Sequence, residues 1–379
     1  MKRTILLALV ILSTALFAEK VVLNESAQLF EHTFLNENQT RINFTLDKYI
    51  TEDISEGNVT YKRISYPDEG EFAIPGKPDL PNFTRTFAVP NEGEVRIQIN
   101  SFDEEIVTDI VAFPRRELDL DGEPKNMDFV IDTDYYAQGS IFPELKATVG
   151  EPALFRDYRV VTVSVNPFRY DPQRRELRIV KNLELDLICE GRGGVNVKTL
   201  DHKISGLFTP MYKSAIENYE SILSRNDEFQ QPSYLFIYNN SGNVEQYLDY
   251  LTLWKKKKGF KVVAASTAET GSTSNSIKNY IQDAYDTWES PPEFICIVGD
   301  TAGSFGVPSA TSGYEGSDHP YSQLAGNDIL ADVAIGRLSF DSITQFQTIL
   351  NKIFSYEMTP YLDETDWFNE VLLVGDPSS

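Results

Sequence analysis

Residues 294–300, FICIVGD, form an unbroken apolar run that ends on glycine and aspartate. Such a run is too short for a helix and lacks the alternation of a half-exposed strand, so it reads as a strand covered on both faces. Before it, Ile277, Tyr280, Ile281, Ala284 and Trp288 recur at helical spacing. Further upstream lie KVVAAS (261–266), a helical face of Val244, Tyr247, Leu248, Leu251 and Trp254 that stops at Gly259, and the apolar YLFIY (234–238). Downstream, Phe346, Ile349, Leu350, Ile353 and Phe354 mark another helix, and EVLLVGD (370–376) repeats the ending of the first run. Apolar strands alternating with amphipathic helices specify a mainly parallel sheet with helices on both faces, whose ligands gather at the carboxyl ends of the strands. Asp300 and Asp376 both stand at such ends.

The half before residue 190 obeys a different period. EVRIQIN and RVVTVSV alternate strictly, RELRIV and LELDLI are strand-like, and Pro, Gly, Asn and Asp punctuate them, which predicts an all-β sandwich. Tyr212, Ala215, Ile216, Tyr219, Ile222 and Leu223 then fall at helical spacing, and the polar SRNDEFQQPS follows. The expected organisation is therefore a leader over 1–18, a β domain with a helical linker over 19–228, and an α/β unit over 229–379. The leader MKRTILLALVILSTALFA has a basic start, an apolar run and the small Ala18 before a polar continuation, the pattern of a secretory signal and too short for a membrane span. Arg225, in the polar linker, is the expected point of proteolytic processing.

With 34 basic and 57 acidic residues among 379, the chain carries a formal charge of −23, which repels phosphate backbones and argues against nucleic acid as a partner. Cys189 and Cys296 each lie in an apolar run and read as small buried hydrophobes. KKKK at 255–258 reads as a solvated helix end, its charge suited to the C-terminal dipole. His319 precedes a proline and reads as a loop residue, and neither Walker nor dinucleotide glycine patterns are present.

Asp328, Leu330 and Asp332 alternate in GNDILAD, so that two carboxylates and an intervening carbonyl are able to converge on one hard cation. The preceding turn offers the Ala325 carbonyl, Asp300 is expected to arrive from the neighbouring strand end, and three such acids would repel without a cation. Asp318, in SDHPY, reads as a turn residue.

GKPDLPNF (76–83), VNPFRYDPQRRELRIVKNLELDL (165–187), ICIVGD (295–300), residues 317–357 with their GND and IGRL elements, and DWFNEVLLVGDP (366–377) together resemble the gingipain family of secreted cysteine peptidases. The resemblance implies a propeptide sandwich packed on the first part of a caspase-like catalytic domain, cysteine-type endopeptidase activity on protein or peptide substrates, and a calcium site at Asp300, Ala325, Asp328, Leu330 and Asp332. It also implies that an acid near Asp376 orients a catalytic histidine, which arrives in a Gly-His-Gly context after EVLLVGD and is followed by the cysteine nucleophile. Neither Cys189, Cys296 nor His319 matches those positions, so the chain as it stands is expected to lack peptidase activity. Two other readings stay open: a non-catalytic secreted binding or inhibitory module of the same descent, and an α/β enzyme that uses a strand-end aspartate with magnesium, against which the export signal and the missing Asp-x-Asp pair argue.

Overall fold

The structure, a computed structural model, describes residues 18–117, 129–223, 228–311, 316–363 and 365–370. Arg225 and Asp376 lie outside the described residues, as does the strand expected at 370–376 beyond Glu370.

The N-terminal half is built from antiparallel sheets. One orders Phe168–Asp171, Glu176–Glu190, Gln39–Thr45 and Phe30–Asn36, with Glu94–Val107 along the other side of Glu176–Glu190. A second orders Ala153–Phe155, Tyr158–Val165, Pro81–Ala88 and Gly70–Glu71, and Ala147–Val149 also pairs with Tyr158–Val165. A smaller sheet joins Glu19–Val22, Lys48–Glu56 and Val59–Ser65. In Gln39–Thr45 the alternate residues Thr40, Ile42 and Phe44 are buried. That period of two aims their side chains at the opposite sheet, where Phe44 meets Phe83 edge-on with ring centroids 5.3 Å apart. RELRIV and LELDLI prove to be one strand, Glu176–Glu190, whose register shifts between Val180 and Asn182. The polar pair Lys181–Asn182 that separates them is a bulge rather than a turn.

The C-terminal half holds a four-stranded, all-parallel sheet in the order Lys261–Ser266, Ser233–Tyr238, Phe294–Val298, Ala334–Leu338. Helix Ser274–Thr287 covers one face, burying Ile277, Ile281 and Tyr285 against Leu235, Ile237, Ile295 and Ile297. Helices Val244–Lys257 and Ile343–Glu357 cover the other, placing Leu248, Leu251, Phe346 and Leu350 against Phe236, Cys296 and Val298. The expected run of helical residues between the halves is two short helices, Thr209–Ala215 and Tyr219–Ile222, broken at Ile216–Asn218. Tyr212, Ile216 and Tyr219 pack them onto the sandwich beside Phe155 and Tyr158.

Lysines 255–258 are not a merely solvated helix end: Lys255 and Lys258 both reach Glu357 of the neighbouring helix, at 2.8 and 3.0 Å. Burial raises the Glu357 pKa, but these cations and the Trp254 indole N–H outweigh it and bring the carboxyl down to about 2.

Candidate functional site

Crossing from Lys261–Ser266 over Ser233–Tyr238 to Phe294–Val298 reverses the winding of the parallel sheet, and the carboxyl ends of the last two strands are where sheets of this kind gather ligands. The chain leaves Val298 through Gly299 at φ 137°, where a Cβ would stand 2.0 Å from the Phe305 carbonyl oxygen, so only glycine passes. Arg337 braces the loop beyond: its Nη1 donates to the carbonyls of Gly299, Asp300 and Val307 at 2.9, 3.1 and 2.7 Å. Its Nε and Nη2 form a two-bond fork with Asp318 at 2.8 Å each. Asp318, read from the sequence as a turn residue, is thus also the counter-ion of this strut. Asn239 Nδ2 holds the Gly306 carbonyl at 2.6 Å. Asp300 accepts from Thr301 N at 2.7 Å and from the Ser339 hydroxyl at 2.9 Å, and the Thr301 bond leads in lowering its pKa.

Neither thiol is poised for nucleophilic attack, which needs a thiolate. Cys296 is 6% exposed, and burial pushes its pKa up to about 12. Cys189 donates to the Glu92 carbonyl at 3.2 Å, and burial raises its pKa also. His319 places Nε2 3.0 Å from the Ile329 carbonyl oxygen and Nδ1 3.4 Å from the Ser322 hydroxyl.

The acids that the sequence singled out do not gather as expected. Asp300 stands beyond the carboxyl end of Phe294–Val298, and Asp328 and Asp332 turn toward the sandwich. Among the described residues no group of three or more His, Cys, Asp and Glu side chains is arranged to hold a metal. Asp332 Oδ2 accepts from Leu324 N and Ala325 N at 2.7 Å each, and Oδ1 from Arg156 N at 3.2 Å. Asp328 accepts from Leu330 N at 2.9 Å, Leu154 N at 2.8 Å and Asn196 Nδ2 at 3.3 Å. These donors place partial positive charge beside both carboxylates, and Asp300 does not converge with them.

They act together on something else. Ala153–Phe155 is an edge strand that, among the described residues, pairs only with Tyr158–Val165, and the N–H groups of Leu154 and Arg156 that face away from the sheet end on Asp328 and Asp332. Two carboxylates thus take the place of the next strand. Leu330, between them, packs into the cluster of Phe155, Tyr212 and Tyr219. The Arg156 guanidinium then enters the α/β half, donating from Nη1 to the carbonyls of Asp332 at 2.6 Å and Pro292 at 2.9 Å, and from Nη2 to Gln230 at 3.4 Å. It lies over the rings of Phe208 and Tyr285 with centroids at 5.1 and 5.6 Å.

A second string of bonds runs beside this one. Tyr212 OH and Ser205 N both donate to Asp157, at 2.7 and 2.8 Å. The Ser205 hydroxyl donates to Glu293, which also accepts from Ser233 N at 2.9 Å. Burial pushes Asp332 up to about 6, despite its backbone donors. Arg156 was not singled out in the sequence. It stands among aromatics in LFRDY, and nothing local tells that its partners lie some 74 to 176 residues onward.

Comparison with known proteins places these two halves in order. Residues 28–234 match the family Propeptide_C25, and residues 227–379 match Peptidase family C25. Gingipain R1 of Porphyromonas gingivalis is 24% identical over 375 residues, covering 96% of this chain and 37% of that protein. Gingipain R2 of the same organism is 23% identical over 90% of this chain and 47% of its own length. Lys-gingipain W83 is 23% identical over 99% of this chain and 22% of its own. The chain therefore spans less than half of each of these relatives. Among solved structures, the complex of Porphyromonas gingivalis RgpB pro- and mature domains aligns with a TM-score of 0.47 at 20% identity, covering 52% of this chain and 98% of that one. Gingipain R itself, an Arg-specific cysteine proteinase, aligns with a TM-score of 0.29 at 22% identity over 34% of this chain and 29% of that one.

Proposed function

Because the chain belongs to peptidase family C25, a family of cysteine peptidases, and carries its propeptide ahead of part of its peptidase domain, we propose that it is the latent N-terminal portion of a secreted, gingipain-like cysteine endopeptidase. In this reading the leader ending at Ala18 exports the chain, the sandwich is the propeptide, and the α/β half is part of the framework on which the family mounts its catalytic histidine and cysteine. The observation that carries it is the joint: Asp328, Leu330, Asp332 and Arg156 bind the sandwich edge to the loop leading into strand Ala334–Leu338. The joint sits at the amino ends of strands Phe294–Val298 and Ala334–Leu338, so the propeptide grips the framework from the side opposite the carboxyl edge until the linker is cut. Asp376 is assigned the orienting acid, and Arg225 the processing point. Substrates are proteins or peptides.

The test is the product of the intact gene, secreted and incubated with fluorescent casein before and after limited proteolysis of the linker. The expected outcome is activity that appears on cleavage and is abolished by iodoacetamide. An inert product from a gene encoding no downstream histidine and cysteine would sink the reading.

A second reading, that of a secreted binding or inhibitory module, draws support from the two thiols, both buried with raised pKa. It predicts that residues 19–379 slow a complete C25 peptidase supplied in trans.

A further inference from the structure

The largest sheet of the sandwich ends in Glu94–Val107, a strand of 14 residues that pairs along its length with Glu176–Glu190 and, among the described residues, with no other strand. Its outer row of N–H and C=O groups is a template for another strand. Ile99, Phe102 and Ile106 along it remain 38%, 49% and 46% exposed. The register steps from Ile99 to Ser101 opposite Leu185 and Glu184, so Asn100 is an extra, bulged residue. The bulge puts Val95, Ile97 and Ile99 on the same face as Phe102, Glu104 and Ile106.

With that shift the strand complements itself when two copies run antiparallel. Ile99 meets Phe102 of the second copy and Val95 meets Ile106 on the apolar face. Arg96 meets Glu105 and Gln98 meets Asp103 on the polar face, and a two-fold axis makes every pair occur twice. Arg96 and Glu105 keep 52% and 51% of their side chains exposed; their present partners, Glu190 at 3.3 Å and Lys181 at 3.7 Å, are surface contacts that an interface pair would have to share or replace. Ile97 falls opposite Glu104, which does not demand a new partner, because Arg169 and Arg178 already hold it at 2.7 and 3.4 Å.

We propose that this edge joins two copies of the chain into one continuous antiparallel sheet. The formal charge of −23 on each copy opposes the encounter, which makes the association weak and dependent on the register of the Arg96–Glu105 pairs. The experiment is sedimentation velocity on the exported chain, purified after secretion, from roughly 1 to 200 µM, the range of a modest interface.

A dimer is expected within that range. Arg96→Glu and Glu105→Arg should each weaken it about tenfold or more, as two attractive pairs become repulsive. The double swap, Arg96→Glu with Glu105→Arg, should restore it to within about threefold, because self-pairing re-creates both ion pairs. Hydrogen exchange on the parent chain supplies a readout independent of whether the variants fold: raising the concentration should protect amides within 94–107. A chain that stays monomeric throughout, a double swap that fails to recover, or protection confined to another surface would each overturn the proposal.

Discussion

Two edge strands of the same sandwich end in opposite ways. Ala153–Phe155 is short, and its outward N–H groups are taken by Asp328 and Asp332 from the other half of the chain. Glu94–Val107 is long, and its outward groups meet no strand among the described residues. Both edges expose the same backbone chemistry. The first is satisfied by acids placed one turn of loop apart, and the second is left with a sequence that matches a reversed copy of itself. Edge satisfaction therefore couples the two halves in one place and leaves the sandwich self-contained in the other.

The most direct way to break this contrast is to remove Arg156, the residue that follows the capped edge. Its guanidinium is buried and donates to carbonyls of the α/β half, so Arg156→Ala should cost about 3–5 kcal/mol and separate the melting of the two halves into distinct calorimetric transitions. A single cooperative transition at the parental temperature would show that the halves are coupled elsewhere. Asp332→Ala removes the acceptor of three backbone N–H groups and should cost about 2–4 kcal/mol, with faster hydrogen exchange at Leu324, Ala325 and Arg156. Asp328→Ala, at the more exposed end of the same cap, should cost about 1–2 kcal/mol and speed exchange at Leu154, while amides within 94–107 keep their rates.

Acid titration sharpens the comparison from inside the α/β half. The Glu357 pKa, depressed to about 2, means that its pairing with Lys255 and Lys258 is fully present above the ordinary glutamate range and is lost as pH falls from about 5 toward 2. After allowance for partial exposure this contributes on the order of 1–2 kcal/mol. Glu357→Gln should flatten the fall in stability of that half over the same interval, and an unchanged slope would rule the pair out as its cause. The smallest effect concerns calcium. With Asp328 and Asp332 occupied by N–H donors and Asp300 apart from them, millimolar calcium against chelator should leave the melting curve unchanged. A rise that Asp328→Ala abolishes would restore the cation to this loop.

The strands and helices of the α/β half were legible wherever burial on one or both faces leaves a period, as in FICIVGD and the face from Ile277 to Tyr285. Ala334–Leu338 was not read as a strand, because Gly336 and Arg337 interrupt its apolar run, and Arg337 is there to hold carbonyls some 30 to 38 residues away. Asp328 and Asp332 were read as cation ligands with Leu330 between them, but a carboxylate is an acceptor for cations and for N–H groups alike. Which of these it meets is decided by a strand 174 to 176 residues earlier, and nothing in the local pattern records that partner. A separation of 99 to 102 residues likewise hid Glu357 from Lys255 and Lys258, since a cation at a helix end looks the same whether water or a carboxylate faces it.

Strand connectivity also sets a timetable. Every strand of the antiparallel sheets lies between Glu19 and Glu190, and the first strand of the parallel sheet starts at Ser233. A chain emerging from the N-terminus at about 5–20 residues per second has the whole sandwich in hand several seconds before the loop bearing Asp328 and Asp332 leaves the ribosome or the export channel. The capped edge of Ala153–Phe155 thus stands open through that interval and closes only when its acids arrive. Each nascent α/β half meets a finished surface on which to settle, and any stall in synthesis between residues 190 and 328 leaves that edge free to pair with a stranger.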